Sequence, residues 1–153
     1  MGHVTARLLN NALTNFHMCK LVMIDDNPIE HLIMQRIFGR YKLFKDAVHS
    51  LDGRIIIEFL REKNALSMLP DLIFLDLDMP GFSGWDFLEQ FEKLYLRLAK
   101  PVSVYIVSSS VCDEERLRSA HFPFVKEFIS KPVTKDKLEL LHCLHYIPSA
   151  DDQ

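Results

Sequence analysis

Four short stretches of this chain carry side chains that could do chemistry together: the acidic pair Asp25-Asp26, Asp76 with Asp78 two residues on, Ser108, and Lys131. Each closes or directly follows an apolar run. Three carboxylates brought to one place cannot all ionise comfortably without a cation. Ligation by oxygen alone, with few carboxylates and room for water, suits Mg²⁺, which keeps part of its hydration shell and serves phosphate chemistry. A carboxylate is also a competent nucleophile toward phosphorus if a metal and a cation offset the charge that builds on the equatorial oxygens. Asp76 fits the nucleophile, because it ends a central apolar run just before the Met79-Pro80-Gly81 turn. Lys131 would then pair with one phosphoryl oxygen, the Ser108 hydroxyl would hydrogen-bond another, and Asp25 and Asp26 would hold the metal. These residue types predict a crevice for Mg²⁺ and a phosphoryl group.

Such a crevice needs elements that bring the four stretches together. Apolar runs at residues 21–24, 72–75, 102–107 and 125–129, with a weak one at 47–48, are short and mostly lack polar alternation. Buried parallel strands have this pattern. Helical spacing fills the intervals at 29–38, 53–63, 85–98, 114–119 and 135–144, so five strands alternate with five helices. Right-handed crossovers on an open parallel sheet give an α/β three-layer sandwich, with its ligand site at the carboxyl ends of the strands near the switch in strand order. The first, third and fourth strands lie close together on such a sheet. Asp25, Asp26 and Asp76 would therefore converge, with Ser108 and Lys131 on the far wall.

A length of 153 residues is one domain's worth, and 48% apolar with 25% charged residues is a globular balance. The net charge of -3, with 18 scattered basic residues, gives no electrostatic footprint for nucleic acid or an anionic membrane. Cys19, Cys112 and Cys143 are odd in number and far apart, which fits neither a disulfide framework nor a metal knuckle, so a reducing compartment is expected. No apolar run approaches the roughly 20 residues of a membrane span. A secretory signal is lacking, and Ala6 stands where myristoylation requires Ser or Thr. The expected location is cytoplasmic. Residues 1–18 differ in character, with an apolar stripe of helical spacing at Leu8, Leu9, Ala12, Leu13 and Phe16; a short extra helix is one expectation, and an N-terminal extension or a leftover ahead of a start at Met18 is the other. The expected domain runs over 19–147, with a short tail at 148–153.

The motifs carry a resemblance. Leu21-Val22-Met23-Ile24-Asp25-Asp26-Asn27, then Leu72-Ile73-Phe74-Leu75-Asp76-Leu77-Asp78-Met79-Pro80-Gly81 with Gly84, then Val104-Tyr105-Ile106-Val107-Ser108-Ser109, and Phe128-Ile129-Ser130-Lys131-Pro132 follow one another in order. In this the chain resembles a response-regulator receiver domain, the phosphoacceptor half of a two-component system, and in particular the stand-alone chemotaxis-type regulators. The resemblance implies a flavodoxin-like five-stranded parallel sheet of order 2-1-3-4-5 and a phosphorylatable Asp76. It implies Mg²⁺ held by Asp26, Asp76 and the main-chain carbonyl of Asp78, with Asp25 assisting through water. A cis peptide at Lys131-Pro132 is common in the family. The implied partners are a histidine kinase or phosphotransfer protein and an unidentified downstream protein, with no nucleic acid and no membrane. The implied chemistry is the domain's own phosphotransfer and dephosphorylation rather than that of an enzyme. The sequence stops at Gln153, a few residues past the last helical pattern, so no output domain is expected.

Three positions depart from the family pattern: Ser108 where Thr is frequent, Phe128 where Tyr is frequent, and the extra acid Asp78. Plainer roles compete for several residues. Asn27, Pro28 and Glu30 make a good helix start on their own, Lys131-Pro132 could be an ordinary loop, and serines at strand ends are common. Phe87, Phe91 and Tyr95 have packing spacing, and His142 and His145 complement a helix C-terminus. Two other functions compete as well. Asp76-Leu77-Asp78 also resembles the DxD of haloacid-dehalogenase-like Mg²⁺-dependent phosphatases, but those need an acidic pair downstream of the lysine, and here Pro-Val-Thr-Lys follows Lys131. A docking-only pseudo-receiver would lack a site residue, and none is lacking.

Overall fold

The computed structural model describes residues 19–62, 68–110 and 112–146. The apolar stripe within 1–18 and the tail lie outside the described residues. Strands β1 (Leu21–Ile24), β2 (Val48–Ser50), β3 (Leu72–Leu75), β4 (Ser103–Ser108) and β5 (Val125–Ser130) alternate with helices α1 (Pro28–Tyr41), α2 (Gly53–Glu62), α3 (Gly84–Glu92), α4 (Asp113–Ser119) and α5 (Lys135–His145). The sheet has the order β2-β1-β3-β4-β5, and every neighbouring pair is parallel. This is the flavodoxin-like α/β arrangement expected from the sequence.

Unbroken apolar runs arise because the central strands are buried on both faces. Val22, Ile24, Ile73, Leu75, Val104 and Ile106 share one core cluster with Ile56, Leu60, Phe87 and Phe91 of α2 and α3. Leu21, Met23, Phe74, Tyr105 and Val107 point the other way, onto Met34 and Phe38 of α1 and Leu138 and Leu141 of α5. Register then places the acids. Ile24 pairs with Leu75, and the Asp76 N–H continues the ladder to the Ile24 carbonyl at 3.0 Å, so Asp25 and Asp76 emerge side by side. At the other edge Ser108 pairs with Ser130, and the next amide, that of Lys131, donates to the Ser108 carbonyl at 2.8 Å.

Local signals set the helix starts. The Asn27 side chain accepts from the Ile29 N–H ahead of Pro28 in α1, and Ser83 and Asp86 form a reciprocal capping box at α3. A Cβ on Gly84 would lie 2.4 Å from the Asp76 carbonyl oxygen and 2.7 Å from Leu77 Cα, so only glycine lets α3 press against the loop that follows Asp76. One element differs from expectation: the helix over 85–98 ends at Glu92, and a 3₁₀ turn at Tyr95–Arg97 follows. Three-residue turns take over, with Leu94 N–H donating to Phe91 O at 2.9 Å and Arg97 N–H to Leu94 O at 2.8 Å. They seat the Tyr95 ring 4.8 Å from Phe124 and leave Leu96 82% exposed. The aromatic series Phe87, Phe91, Tyr95 is stacked packing, as its spacing suggested.

Candidate functional site

Asp25 is the most constrained residue of the crevice. It is 2% exposed, and each of its polar groups has a partner. Its N–H donates to Ser50 O at 3.1 Å, its Oδ1 accepts from Asn27 N–H at 2.9 Å, and its Oδ2 accepts from Lys131 Nζ at 2.7 Å. Its main-chain oxygen lies 2.7 Å from His31 Nε2. Asp76 is 6% exposed, with Lys131 Nζ 3.7 Å from its Oδ1. Burial pushes the Asp76 carboxyl from the ordinary 3.8 up to about 6, Lys131 pulls it back, and the neighbouring Asp25 charge raises it further. For Lys131, burial works against the charge, but the hydrogen bond to Asp25 and the charges of Asp76 and Asp25 hold its pKa above the ordinary value.

Asp26 is exposed at the mouth of the crevice, yet a carboxylate oxygen from each of Asp25, Asp26 and Asp76 lies within 4.8 Å of the others. Oxygen-only donors at this spacing suit a hard divalent cation such as Mg²⁺, and no sulfur or imidazole in the group favours a softer ion. Each Asp25 oxygen already accepts one hydrogen bond, so Asp25 has less lone-pair capacity left for an ion than the exposed Asp26. Asp78 is exposed and its carboxylate is outside that trio, although its N–H supports the Asp76 carboxylate.

Ser108 closes β4 in the interior. It is fully buried, and its Oγ accepts from the Ser110 N–H at 3.1 Å, while Ser109 lines the cavity beside Asp76 and Lys131. That cavity, of about 310 Å³, runs inward from the acids between Ile33, Met34 and Ile37 of α1 and Phe74, Val107 and Val133. Phe128 is half-buried under the Arg116 guanidinium, 5.1 Å from the ring centroid. The Lys131-Pro132 peptide is cis. Sequence reasoning assigned no role to Ser109 or to the pair His31 and His49, and it read Arg116 as part of a solvated helix start. Only His31 left a trace, as the polar member of the buried α1 stripe His31, Met34 and Phe38.

A strand-end acid trio, a lysine reaching in from β5 and this strand order together define a class, and comparison with known proteins agrees. The response regulator receiver domain profile matches residues 21–141, and the chain belongs to that family. Receiver domains are generally signalling phosphoacceptors that bind Mg²⁺ in an acidic pocket. A probable methanogenesis regulatory protein of Methanothrix harundinacea is 26% identical over 120 residues, covering 78% of this chain and 76% of that protein. A protein-glutamate methylesterase/protein-glutamine glutaminase of Methylobacillus flagellatus is 27% identical, covering 82% of this chain but only 32% of that protein. Among solved structures, a two component response regulator from Cytophaga hutchinsonii superposes with a TM-score of 0.74 at 23% identity, covering 84% of this chain and 96% of the other. Another response regulator, from Legionella pneumophila, gives 0.70 at 16% identity, with 82% and 95% covered. Among the described residues no helix is long and apolar enough to cross a membrane.

Proposed function

We propose that the chain is a phosphorylation switch in which Asp76 accepts a phosphoryl group from a histidine kinase or phosphotransfer protein. The observation that carries this reading is the convergence of Asp25, Asp26 and Asp76 within 4.8 Å, with Lys131 Nζ 3.7 Å from Asp76 Oδ1. An Asp76 oxygen attacks phosphorus, the bond to the donor's imidazole nitrogen breaks, and an acyl phosphate remains on Asp76. Asp26, Asp76 and the main-chain carbonyl of Asp78, with Asp25 assisting, would hold Mg²⁺, which would supply positive charge to offset that building on the phosphoryl oxygens. Lys131, held against Asp25, meets the new phosphoryl charge without a search. The Ser108 hydroxyl turns from the Ser110 amide to a phosphoryl oxygen, and the surface of α4, β5 and α5 changes with it. The switched surface acts on a downstream protein in the cytoplasm.

Incubation with Mg²⁺ and acetyl phosphate, followed by intact mass, tests this. A single phosphoryl adduct that Asp76→Asn abolishes supports the switch. Absence of any adduct leaves a docking-only module. Rapid turnover of general phosphomonoesters without a lasting adduct would instead favour the haloacid-dehalogenase-like phosphatase.

A further inference from the structure

We propose that His31, braced by His49, is a positioning residue for the acidic pair, fixing the main chain of Asp25 and through it the placing of Asp26. The inference rests on the reading of the acid trio as a Mg²⁺ site. His31 sits in the buried stripe of α1, where an apolar side chain would fill the same space. A histidine there is tolerated only if its ring nitrogens find partners, and both do. Nε2 lies 2.7 Å from the Asp25 main-chain oxygen, and Nδ1 lies 2.7 Å from Nδ1 of His49 on the edge strand β2.

The proton positions follow from the acceptor at one end. A carbonyl only accepts, so His31 Nε2 must carry a hydrogen, and in the neutral ring Nδ1 is then an acceptor. His49 must therefore donate from Nδ1, which leaves its own Nε2 bare. The two rings meet edge to face, 5.0 Å apart at 79°, so the chain of bonds has one direction, from His49 to His31 to Asp25.

The receiving carbonyl explains why this matters. β1 ends at Ile24, and α1 begins at Pro28, so the peptide joining Asp25 to Asp26 belongs to neither element. The Asp25 amide and carboxylate are held by Ser50, Asn27 and Lys131. His31 is what holds the plane of the next peptide, which sets the direction in which the exposed Asp26 leaves the chain. Groups that orient a ligand in this way commonly change metal affinity without touching the metal.

Calorimetric titration of Mg²⁺ into the full chain tests the proposal. His31→Leu keeps the packing and removes the donor, and should weaken binding about tenfold. His31→Gln places an amide N–H where Nε2 was and should restore most of the loss, which a purely space-filling role would not predict. His49→Leu should give a smaller loss. In the wild-type protein at pH 8, nitrogen-15 spectra should show His49 as the Nδ1–H tautomer and His31 as the Nε2–H tautomer, a readout that needs no variant to fold. A His49 ring in the Nε2–H form, or a His31→Gln as weak as His31→Leu, overturns the proposal. If the wild type binds Mg²⁺ and His31→Leu binds equally well, this inference fails alone. A wild type that binds no Mg²⁺ removes it together with the reading of the site.

Discussion

The two halves of the crevice are built differently. On the β1 side, Asp25 has its amide, its carbonyl and both carboxylate oxygens engaged. On the β4 side, Ser108 leads into α4, a helix of 7 residues whose N-cap, Cys112, makes no side-chain cap bond among the described residues. Helices α1, α3 and α5 all have such a cap, from Asn27, Ser83 and Thr134. Leu117 of α4 is 68% exposed. The side-chain contacts that α4 makes laterally include Arg116 over Phe128 at 5.1 Å, Arg118 over Trp85 at 4.1 Å, and a 3.6 Å ion pair between Arg118 and Glu89, with Ser119 its one buried residue. Exposed cation–π contacts are worth about 0.5 to 1 kcal/mol each, and surface ion pairs about 0 to 1. Binding an ion needs preset geometry, whereas signalling needs contacts that a single new charge can outbid; under the proposed function the two demands fall on different strands.

The largest effect expected of the fixed half is at its centre. Asp76→Asn should abolish the phosphoryl adduct, as judged by intact mass, while keeping the sheet, because the side chain is nearly isosteric. The same variant should be more stable than wild type in EDTA. A carboxyl held near 6 when folded and near 3.8 when unfolded binds more protons in the folded state. Metal-free stability therefore falls as pH rises through that window, and the loss is complete above about 6. Asn carries no such loss. Urea unfolding at pH 7.5 should favour Asp76→Asn by on the order of 2 kcal/mol, with the difference vanishing below about pH 4. Equal stability at pH 7.5 would show that Asp76 is better solvated than its burial implies.

Lys131 belongs to both halves, since its amide holds the Ser108 carbonyl and its ammonium holds Asp25. Lys131→Ala should keep Mg²⁺ binding, because the acid trio is untouched and a competing cation is gone. It should lose most of the conformational response to beryllofluoride, followed through the fluorescence of Trp85. Leaving Asp25 buried without its cation should also destabilise the protein by about 3 kcal/mol. A wild-type fluorescence response in this variant would mean that the halves communicate by another route.

The β1 side was legible in the sequence and the β4 side much less so. Strand-end acids can be placed from sequence because apolar runs define where strands stop and parallel order defines which ends meet. The chain turn that buried Ser108 and turned Ser109 toward the cavity is a matter of one residue's rotation at the end of β4, and no periodicity specifies it. The edge strand β2 holds a single apolar residue, Val48, because its other members are His49 and Ser50, whose place is fixed by bonds to His31 and Asp25 rather than by hydrophobic pattern. The break after α3 was invisible for the opposite reason: Leu94, Tyr95 and Leu98 keep helical spacing while the backbone tightens beneath them.

If the weak contacts of α4 restrain the switch, loosening them should ease it. Arg116→Ala frees the Phe128 ring at a cost to the resting state of about 0.5 to 1 kcal/mol, which should appear as roughly two- to fivefold tighter beryllofluoride binding. Arg118→Ala removes the cover of Trp85 and should shift its emission to the red in the resting protein, by exposing an indole that is now half-buried. Weaker beryllofluoride binding in Arg116→Ala would mean that the arginine supports the active arrangement instead.

The smallest effect should come from Asp78, which stands beside the fixed half without belonging to it. Three carboxylates lie within 4.8 Å of one another and Asp78 is not among them. Its charge is the smallest of the influences on the Asp76 carboxyl, and its exposure puts water around it. Attraction to a divalent ion across solvent, in a dielectric near that of water and with salt present, is worth about 0.5 kcal/mol, or roughly twofold in affinity. The main-chain N–H and carbonyl of residue 78 survive substitution, so Asp78→Asn should bind Mg²⁺ about twofold more weakly and phosphorylate fully at saturating metal. Calorimetric titration distinguishes the outcomes. A tenfold loss would place the carboxylate inside the site and extend the preset half to the turn after β3. Equal or tighter binding would make Asp78 a turn residue, and the fixed half would end at Asp76.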